Sequence, residues 1–260
     1  MVRRGSKGRA HVADSIGRLL GRKLRDLNPL TAARHVPAVG DHTPAPAWQA
    51  PSAGMSPTTW RLAKILSFCG NPFVISIPCF AATSLRSTRR WPDRLRWWGI
   101  ATAVMTLPAL VYVRYGVRTG RLSDHEVSVR EERFWPYMGE IAAVVASYGI
   151  MRVLRAPREM TALVVSVAGA MMTITGVTLV WKISMHVVGT AGATTVLVLL
   201  YGKRAAPALT LIPLVGWSRY ALEHHTVAQI IAGGLVGTAA PLIVFQRMGL
   251  LASYRPFFFK

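Results

Sequence analysis

An all-α, polytopic membrane bundle is the fold class this sequence predicts, and three observations predict it. Hydrophobic residues make up 52% of the 260-residue chain and charged residues only 16%, a balance that suits one membrane domain better than soluble ones. Seven apolar runs follow one another, over residues 62–85, 97–115, 136–153, 160–181, 186–201, 206–219 and 226–246. Several of the short connections between them are rich in Arg and Lys, as segments flanking membrane spans are.

Residues 1–59 form a separate region, rich in Arg, Pro, Ala and Gly, and Pro37, Pro44, Pro46, Pro51 and Pro57 predict disorder in its later half. Within it, a helix over residues 14–27 would collect Ile16, Leu19, Leu20, Leu24 and Leu27 on one side and could rest on an anionic membrane surface. A solvated basic tail and an Arg-rich targeting peptide are the other readings. No apolar core follows the early positive charges, so the start does not read as a secretory signal. The membrane domain is expected over residues 60–250, with 251–260 as a short C-terminal tail.

A crossing of the hydrocarbon core needs roughly 20 helical residues. The first four runs and the last meet that length, while the fifth and sixth are short and suit the inside of a bundle, giving about six to seven transmembrane helices. Pro72, Pro78, Pro108, Pro213 and Pro241 interrupt several runs, which spanning helices accommodate through their neighbours. Gly189, Gly192, Gly233 and Gly237 read as close helix packing. Cys69 and Cys79 share one run without ligand-type spacing and are expected to be buried small side chains.

Lys and Arg number 31 against 11 Asp and Glu, a formal charge of +20. Nucleic acid could answer such a balance, as could anionic headgroups or phosphorylated substrates. The positive residues punctuate apolar segments, so membrane lipids and phosphorylated ligands are the expected partners and nucleic acid is not.

If each run crosses once, segments 116–135, 182–186 and 218–225 emerge on one side and gather the unusual polar residues. The first reads R-L-S-D-H-E-V-S-V-R-E-E-R-F-W-P over 121–136; in a helix Arg130 and Arg133 would share a face and could clamp one anion, or could pair with Glu126, Glu131 and Glu132. The second contributes Lys182, Ser184 and His186, a cation, a hydroxyl and a titratable ring within one turn of chain. A lone Lys would more often be an interfacial anchor and a lone His a satisfied interior group, but together they resemble an anion site. The third contributes Ser218, Arg219, His224, His225 and Gln229.

Phosphoryl transfer needs positive groups around three equatorial oxygens, an in-line nucleophile and an acid for the leaving oxygen. Arg130, Arg133, Lys182 and Arg219 with two histidines meet that need. No paired acidic metal site, G-x-S-x-G turn or nucleotide-binding Gly-rich loop stands out, and no metal or other cofactor is expected.

These residues resemble the type 2 phosphatidic acid phosphatase superfamily over residues 116–246. Ser218, Arg219 and His225 fit its S-R-x5-H-x3-D pattern, with Gln229 in the Asp position; S-M-H resembles its P-S-G-H through Ser184 and His186. The family's K-x6-R-P aligns its Arg with Arg133, leaving Glu126 in the Lys position and Pro136 arriving late. The resemblance implies a helical bundle and metal-independent hydrolysis of a lipid or isoprenoid phosphate or diphosphate through a phosphohistidine. It makes His225 the nucleophile and His186 the proton donor to the leaving oxygen, with Ser184, Arg133 and Arg219 binding phosphate. Gln229 would hold the His225 tautomer, and Lys182 or Arg130 would replace the absent Lys.

Two alternatives accompany this expectation: a phosphorylated-lipid binder with lost or weakened catalysis, and a vanadate-dependent haloperoxidase on the same architecture. The Arg and Lys of segments 86–96, 152–159 and 202–205 make the opposite side cytoplasmic, so an extracytoplasmic site in the cell membrane is expected. A re-entrant first run would instead bring the basic tail to the cytoplasmic side.

Overall fold

A computed structural model of the chain describes residues 55–127 and 129–251. Most of the N-terminal tail, including the helix expected over 14–27, and the C-terminal residues 252–260 lie outside it. Among the described residues every regular element is helical.

Helix α1 (Pro57–Cys69) starts on Ser56, whose side chain accepts from Thr59 N at 3.1 Å, with Pro57 in the first turn. Helix α2 (Pro72–Ser87) repeats the device with Asn71 and Pro72. The two meet at 51°, so the first apolar run is a bent pair rather than one straight helix. At the bend, a Cβ on Gly70 would run into the Val215 side chain at 2.5 Å. Cys79 is buried in α2, but Cys69, expected to be buried too, is exposed at the end of α1.

Helix α3 (Trp91–Ala101) continues through a π turn (Thr102–Thr106) into α4 (Leu107–Arg118). Pro108 explains the wide turn: it lacks an N–H and its ring crowds the preceding turn, which must loosen if the helix is to continue. A short 3₁₀ turn (Glu131–Arg133) leads into α5 (Phe134–Val153), followed by α6 (Arg158–Thr178) and α7 (Met185–Tyr201). A 3₁₀ stretch (Gly202–Thr210) joins α7 to α8 (Leu211–Ala221), and α9 (Val227–Arg247) follows.

Four helical stretches are long and apolar enough to cross a membrane: Trp91–Arg118, Arg158–Thr178, Met185–Ala221 and Val227–Arg247, with the bent α1–α2 pair as a fifth. Helix α5 is 20 residues long but does not join them. Met185–Ala221 is not straight. Thr190 of α7 and Val215 of α8 both touch the Gly70 position, although 25 residues of straight helix would separate them by roughly 37 Å. The chain reverses where Gly202 takes φ +66°.

The short fifth run does lie inside the bundle. Helix α7 packs against α2, α6, α8 and α9, and His186, Val187, Thr190, Ala191, Thr194, Val196 and Leu200 are among its buried residues. Small residues let α9 approach it closely: a Cβ on Gly233 would meet Ser184 O at 2.9 Å, and one on Gly237 would collide with Val188 O. By contrast α9 turns Ile231, Leu235, Leu242 and Ile243 outward, an apolar face suited to lipid.

The two ends of the bundle differ chemically. At one end Arg86 Nε donates to Leu200 O at 3.1 Å and Arg158 Nη2 to Met248 O, gathering the Arg-rich connections. At the other, Arg133 reaches Ile183 O and Arg219 reaches Glu126, so the three polar segments converge. Trp135, Trp181 and Trp217 lie exposed on that end, as aromatic side chains do at a membrane surface.

Candidate functional site: a cationic histidine pocket above an apolar cavity

The turn after α8 places the two histidines. Glu223 takes φ +58°, and the backbone N–H groups of His224 and His225 both return to Arg219 O, at 3.1 and 3.2 Å. This closes the helix by a left-handed turn. Thr226 then caps α9 in a reciprocal capping box with Gln229. Gln229 thus belongs to a rigid first turn, and its Oε1 lies 2.9 Å from His225 Nδ1 and 3.3 Å from Thr226 N. An amide oxygen can only accept, so His225 carries its proton on Nδ1 and leaves Nε2 with a free lone pair.

Arg219 is 1% exposed and used on three sides. Its Nη1 donates to Ser67 Oγ at 2.6 Å and to Glu126 Oε2 at 2.7 Å, and its Nη2 donates to His224 Nδ1 at 2.7 Å. His224 Nδ1 also lies 3.4 Å from Glu126 Oε2. That contact is not an ion pair between charged partners, because a nitrogen accepting from a guanidinium cannot itself carry a proton. Burial and then the Arg219 charge push His224 down to about 4, and the same causes push His225 down to about 2.

Both rings therefore stay neutral far below the ordinary histidine value of 6.5. An unfolded chain takes up protons near that value, so the folded state loses stability as pH falls from about 7 toward 4. The melting temperature of the detergent-solubilised protein is expected to fall over that range, with a shallower slope in His224→Gln, whose amide oxygen can still accept from Arg219. A flat profile, or identical slopes, would contradict the assignment.

Arg133, 4% exposed, is held by its own backbone surroundings: Nε donates to Val127 O at 2.9 Å and Nη1 to Ile183 O at 3.2 Å. Val127 holds that carbonyl in place at φ +47°, an uncommon conformation for a β-branched residue. Lys182 stands half-buried on the outer rim with His224, His225 and Gln229. Burial, then Arg133 and Arg219, hold it below the usual lysine range.

Several candidates behave differently from expectation. Arg130 does not join Arg133 in an anion clamp: its guanidinium lies 3.1 Å from Glu131 and the residue does not line the cavity. Ser218 is buried and donates back to Val215 O at 2.7 Å, within its own helix. Glu126 pairs neither with Arg130 nor with Arg133 but with Arg219, 93 residues away in sequence. Burial alone would raise its carboxyl, but the Arg219 charge and the hydrogen bond from Arg219 hold it below the usual carboxylate range. Asp124, 5% exposed, fixes this loop by accepting from Glu126 N at 2.7 Å. The charge of Glu126 at a position where the resembled family has Lys was the available signal; its partner was not readable.

Below the histidines lies a cavity of about 350 Å³, walled by Arg133, His186, Arg219 and His225 at one end and by apolar side chains such as Phe80, Leu163 and Val196 beyond. Its lining on α7 runs from Met185 to Val196, a rise of about 16 Å and close to the depth of one hydrocarbon leaflet. Ser184 Oγ, His186 Nε2 and Arg219 Nε are buried and make no hydrogen bond. Orphaned polar atoms of this kind each cost about 1–3 kcal/mol; two of the three, on His186 and Arg219, line the cavity and suit a polar ligand there, while Ser184 lines neither pocket.

Fold and site together define an all-helical, membrane-embedded protein with a buried cation–histidine cluster at one end of an apolar cavity. No protein-family model matches the chain, and comparison with curated proteins and with solved structures likewise returned no match.

Proposed function

We propose that the protein is an integral membrane phosphatase of the type 2 phosphatidic acid phosphatase kind, acting on a lipid or isoprenoid phosphate or diphosphate. The observation that carries this reading is the position of His225, which lines both the polar outer pocket and the apolar cavity. A phosphate headgroup at its Nε2 would leave the attached chain directed into the bundle. In this reading α5 and the two arms of the α7–α8 hairpin also cross the membrane, giving six or seven crossings.

The chemistry follows from the proton positions. His225 Nε2 attacks phosphorus, the bond from phosphorus to the ester oxygen breaks, and His186 gives that oxygen a proton. Bound phosphate, being negative, favours the protonated His186 this step needs. Arg133, Lys182, Ser184 and the free Nε edge of Arg219 hold the equatorial oxygens. Water, giving a proton back to His186, then attacks the phosphohistidine, releasing phosphate and restoring both rings. The test is phosphate release, with chelator present, from polyprenyl phosphates, polyprenyl diphosphates and phosphatidic acid. No release from any of them would remove the reading.

Gln229 bears on the rate. It orients His225 but supplies no negative charge to the imidazolium that forms, and loss of such a charge in a histidine triad slows turnover by up to about 10⁴-fold. Because Gln229 reaches from the third residue of α9, Glu rather than Asp keeps its length. Gln229→Glu is expected to raise kcat at least about tenfold with little change in KM, since the gain lies in the transition state. An unchanged or lower kcat would show that the carboxylate is not what limits the reaction.

A second reading has its own observation. Glu126 already occupies the Arg219 guanidinium at 2.7 Å, which suits a protein that holds a phosphorylated lipid without turning it over. Retention of such a lipid through purification, with no hydrolysis, would favour it.

A further inference from the structure

Helix α1 lies outside residues 116–246, on which the family resemblance rests, yet it reaches the site. Met55, two residues before it, shares the wall of the outer pocket with His224 and His225. From there α1 packs against α8. Its buried residues are Ala63 and Ser67, one turn apart on the same face. Gly70 follows at the bend, where a Cβ would strike Val215. Three small residues therefore let α1 approach α8 closely, and that approach carries Ser67 to Arg219.

The Ser67 hydroxyl is used in an unusual way. Ser166 and Ser218, also buried, donate to carbonyls of their own helices, Ala162 O and Val215 O, both at 2.7 Å. Ser67 instead meets two charged groups, Arg219 Nη1 at 2.6 Å and Glu126 Oε1 at 3.4 Å. A guanidinium can only donate, so the Ser67 oxygen accepts from Arg219 and its hydrogen turns to the carboxylate. Nη1 has two hydrogens, which go to Ser67 and Glu126, while Nη2 donates to His224. These bonds fix the plane of the guanidinium. Its buried Nε is left without a partner, on a residue that lines the cavity.

We infer that Ser67 is a positioning residue: it holds the Arg219 guanidinium in the orientation that leaves Nε for an anion, and so sets the affinity of the site for a phosphate group. The inference rests on the reading of this pocket as a phosphate site, and it holds whether or not the phosphate is turned over. Glu126 alone does not supply this. A carboxylate competes with an incoming anion for the same guanidinium, whereas a neutral hydroxyl accepts from Nη1 without opposing the anion's charge. Without the hydroxyl, one Nη1 hydrogen is buried and unpaired. The guanidinium then turns to share Glu126 more fully, and Nε loses its aim.

The experiment titrates orthovanadate and inorganic phosphate into the full chain in detergent and reads the melting temperature. Ser67→Ala is expected to need at least about tenfold more anion than wild type for the same rise, as suits the loss of one hydrogen bond to a charged group. Ser67→Cys, close in shape but a weak acceptor, should match Ser67→Ala, and Ser67→Thr, which keeps the hydroxyl, should restore the wild-type dependence. A residue that only supports the fold would lower the anion-free melting temperature and leave the anion dependence unchanged. A second arm repeats Ser67→Ala in Arg219→Lys, whose ammonium has no fork to orient. There the substitution should change anion affinity by less than about twofold. Equal anion dependence in wild type, Ser67→Ala and Ser67→Cys overturns the role of Ser67 while leaving the phosphate site intact. A tenfold loss that persists undiminished in Arg219→Lys overturns it too. If neither anion stabilises wild type, the phosphate reading of the pocket falls and the role of Ser67 falls with it.

Discussion

Phosphate release by the purified protein is expected to be abolished in His225→Ala, a loss of at least about 10⁴-fold, because removing a nucleophile removes the covalent path and not just a contact. Folding should survive the change. His225 is 6% exposed, but its ring makes one side-chain hydrogen bond, to Gln229, and the turn that carries it is fixed by backbone bonds to Arg219 O. A melting temperature close to wild type, together with no phosphate release and no acid-labile phosphoprotein, would fit the nucleophile role. Phosphate release at the wild-type rate would sink the assignment. A second signature separates chemistry from binding: if the ring attacks phosphorus, the variant should still bind the ester, with kcat lost and affinity changed far less. A loss of affinity alone, with kcat retained, would make His225 a binding residue.

How much of this was legible in the sequence depended on the distance between partners. The resemblance to the S-R-x5-H-x3-D motif implied the His225–Gln229 pair, and Gln229 Oε1 does lie 2.9 Å from His225 Nδ1. Counting apolar runs gave the convergence of three distant segments, because parity in a membrane bundle needs no knowledge of packing. The short, small-residue fifth run was readable as an interior helix, and α7 is one. Pairings that depend on tertiary approach were not readable. Arg130 and Arg133 looked alike in sequence, yet one turns outward to Glu131 and the other inward to Ile183 O. Ser67, Glu126 and Arg219 come from three separate segments, and only packing brings them together. The bend after Cys69 was not readable from the first run, and Cys69 is exposed at the end of α1.

Neutralising Glu126 is expected to have opposite effects on the empty and the anion-bound protein. In Glu126→Gln the Arg219 guanidinium, buried at 2% side-chain exposure, loses its counter-charge, and breaking a buried pair by removing one partner costs about 3 kcal/mol or more. The empty variant should therefore melt well below wild type at neutral pH. The wild-type contribution of the pair holds over that range because a carboxyl with its folded value below 4.5 stays ionised there, and it fades only as pH falls through that lower value. Inorganic phosphate or vanadate should then restore what was lost. With the internal carboxylate gone, an added anion meets the full charge of Arg133, Lys182 and Arg219, and its affinity is expected to rise at least about tenfold, equivalent to about 1.4 kcal/mol. The melting temperature of Glu126→Gln should thus climb more steeply with phosphate concentration than that of wild type. If the empty variant is as stable as wild type, the pair contributes little. If it is destabilised but responds to phosphate no more strongly, the carboxylate holds the fold without competing for the site. The combination of lower stability and tighter anion binding would identify Glu126 as the group an incoming phosphate must displace, and would explain how Arg219 stays charged inside the bundle while the pocket is empty.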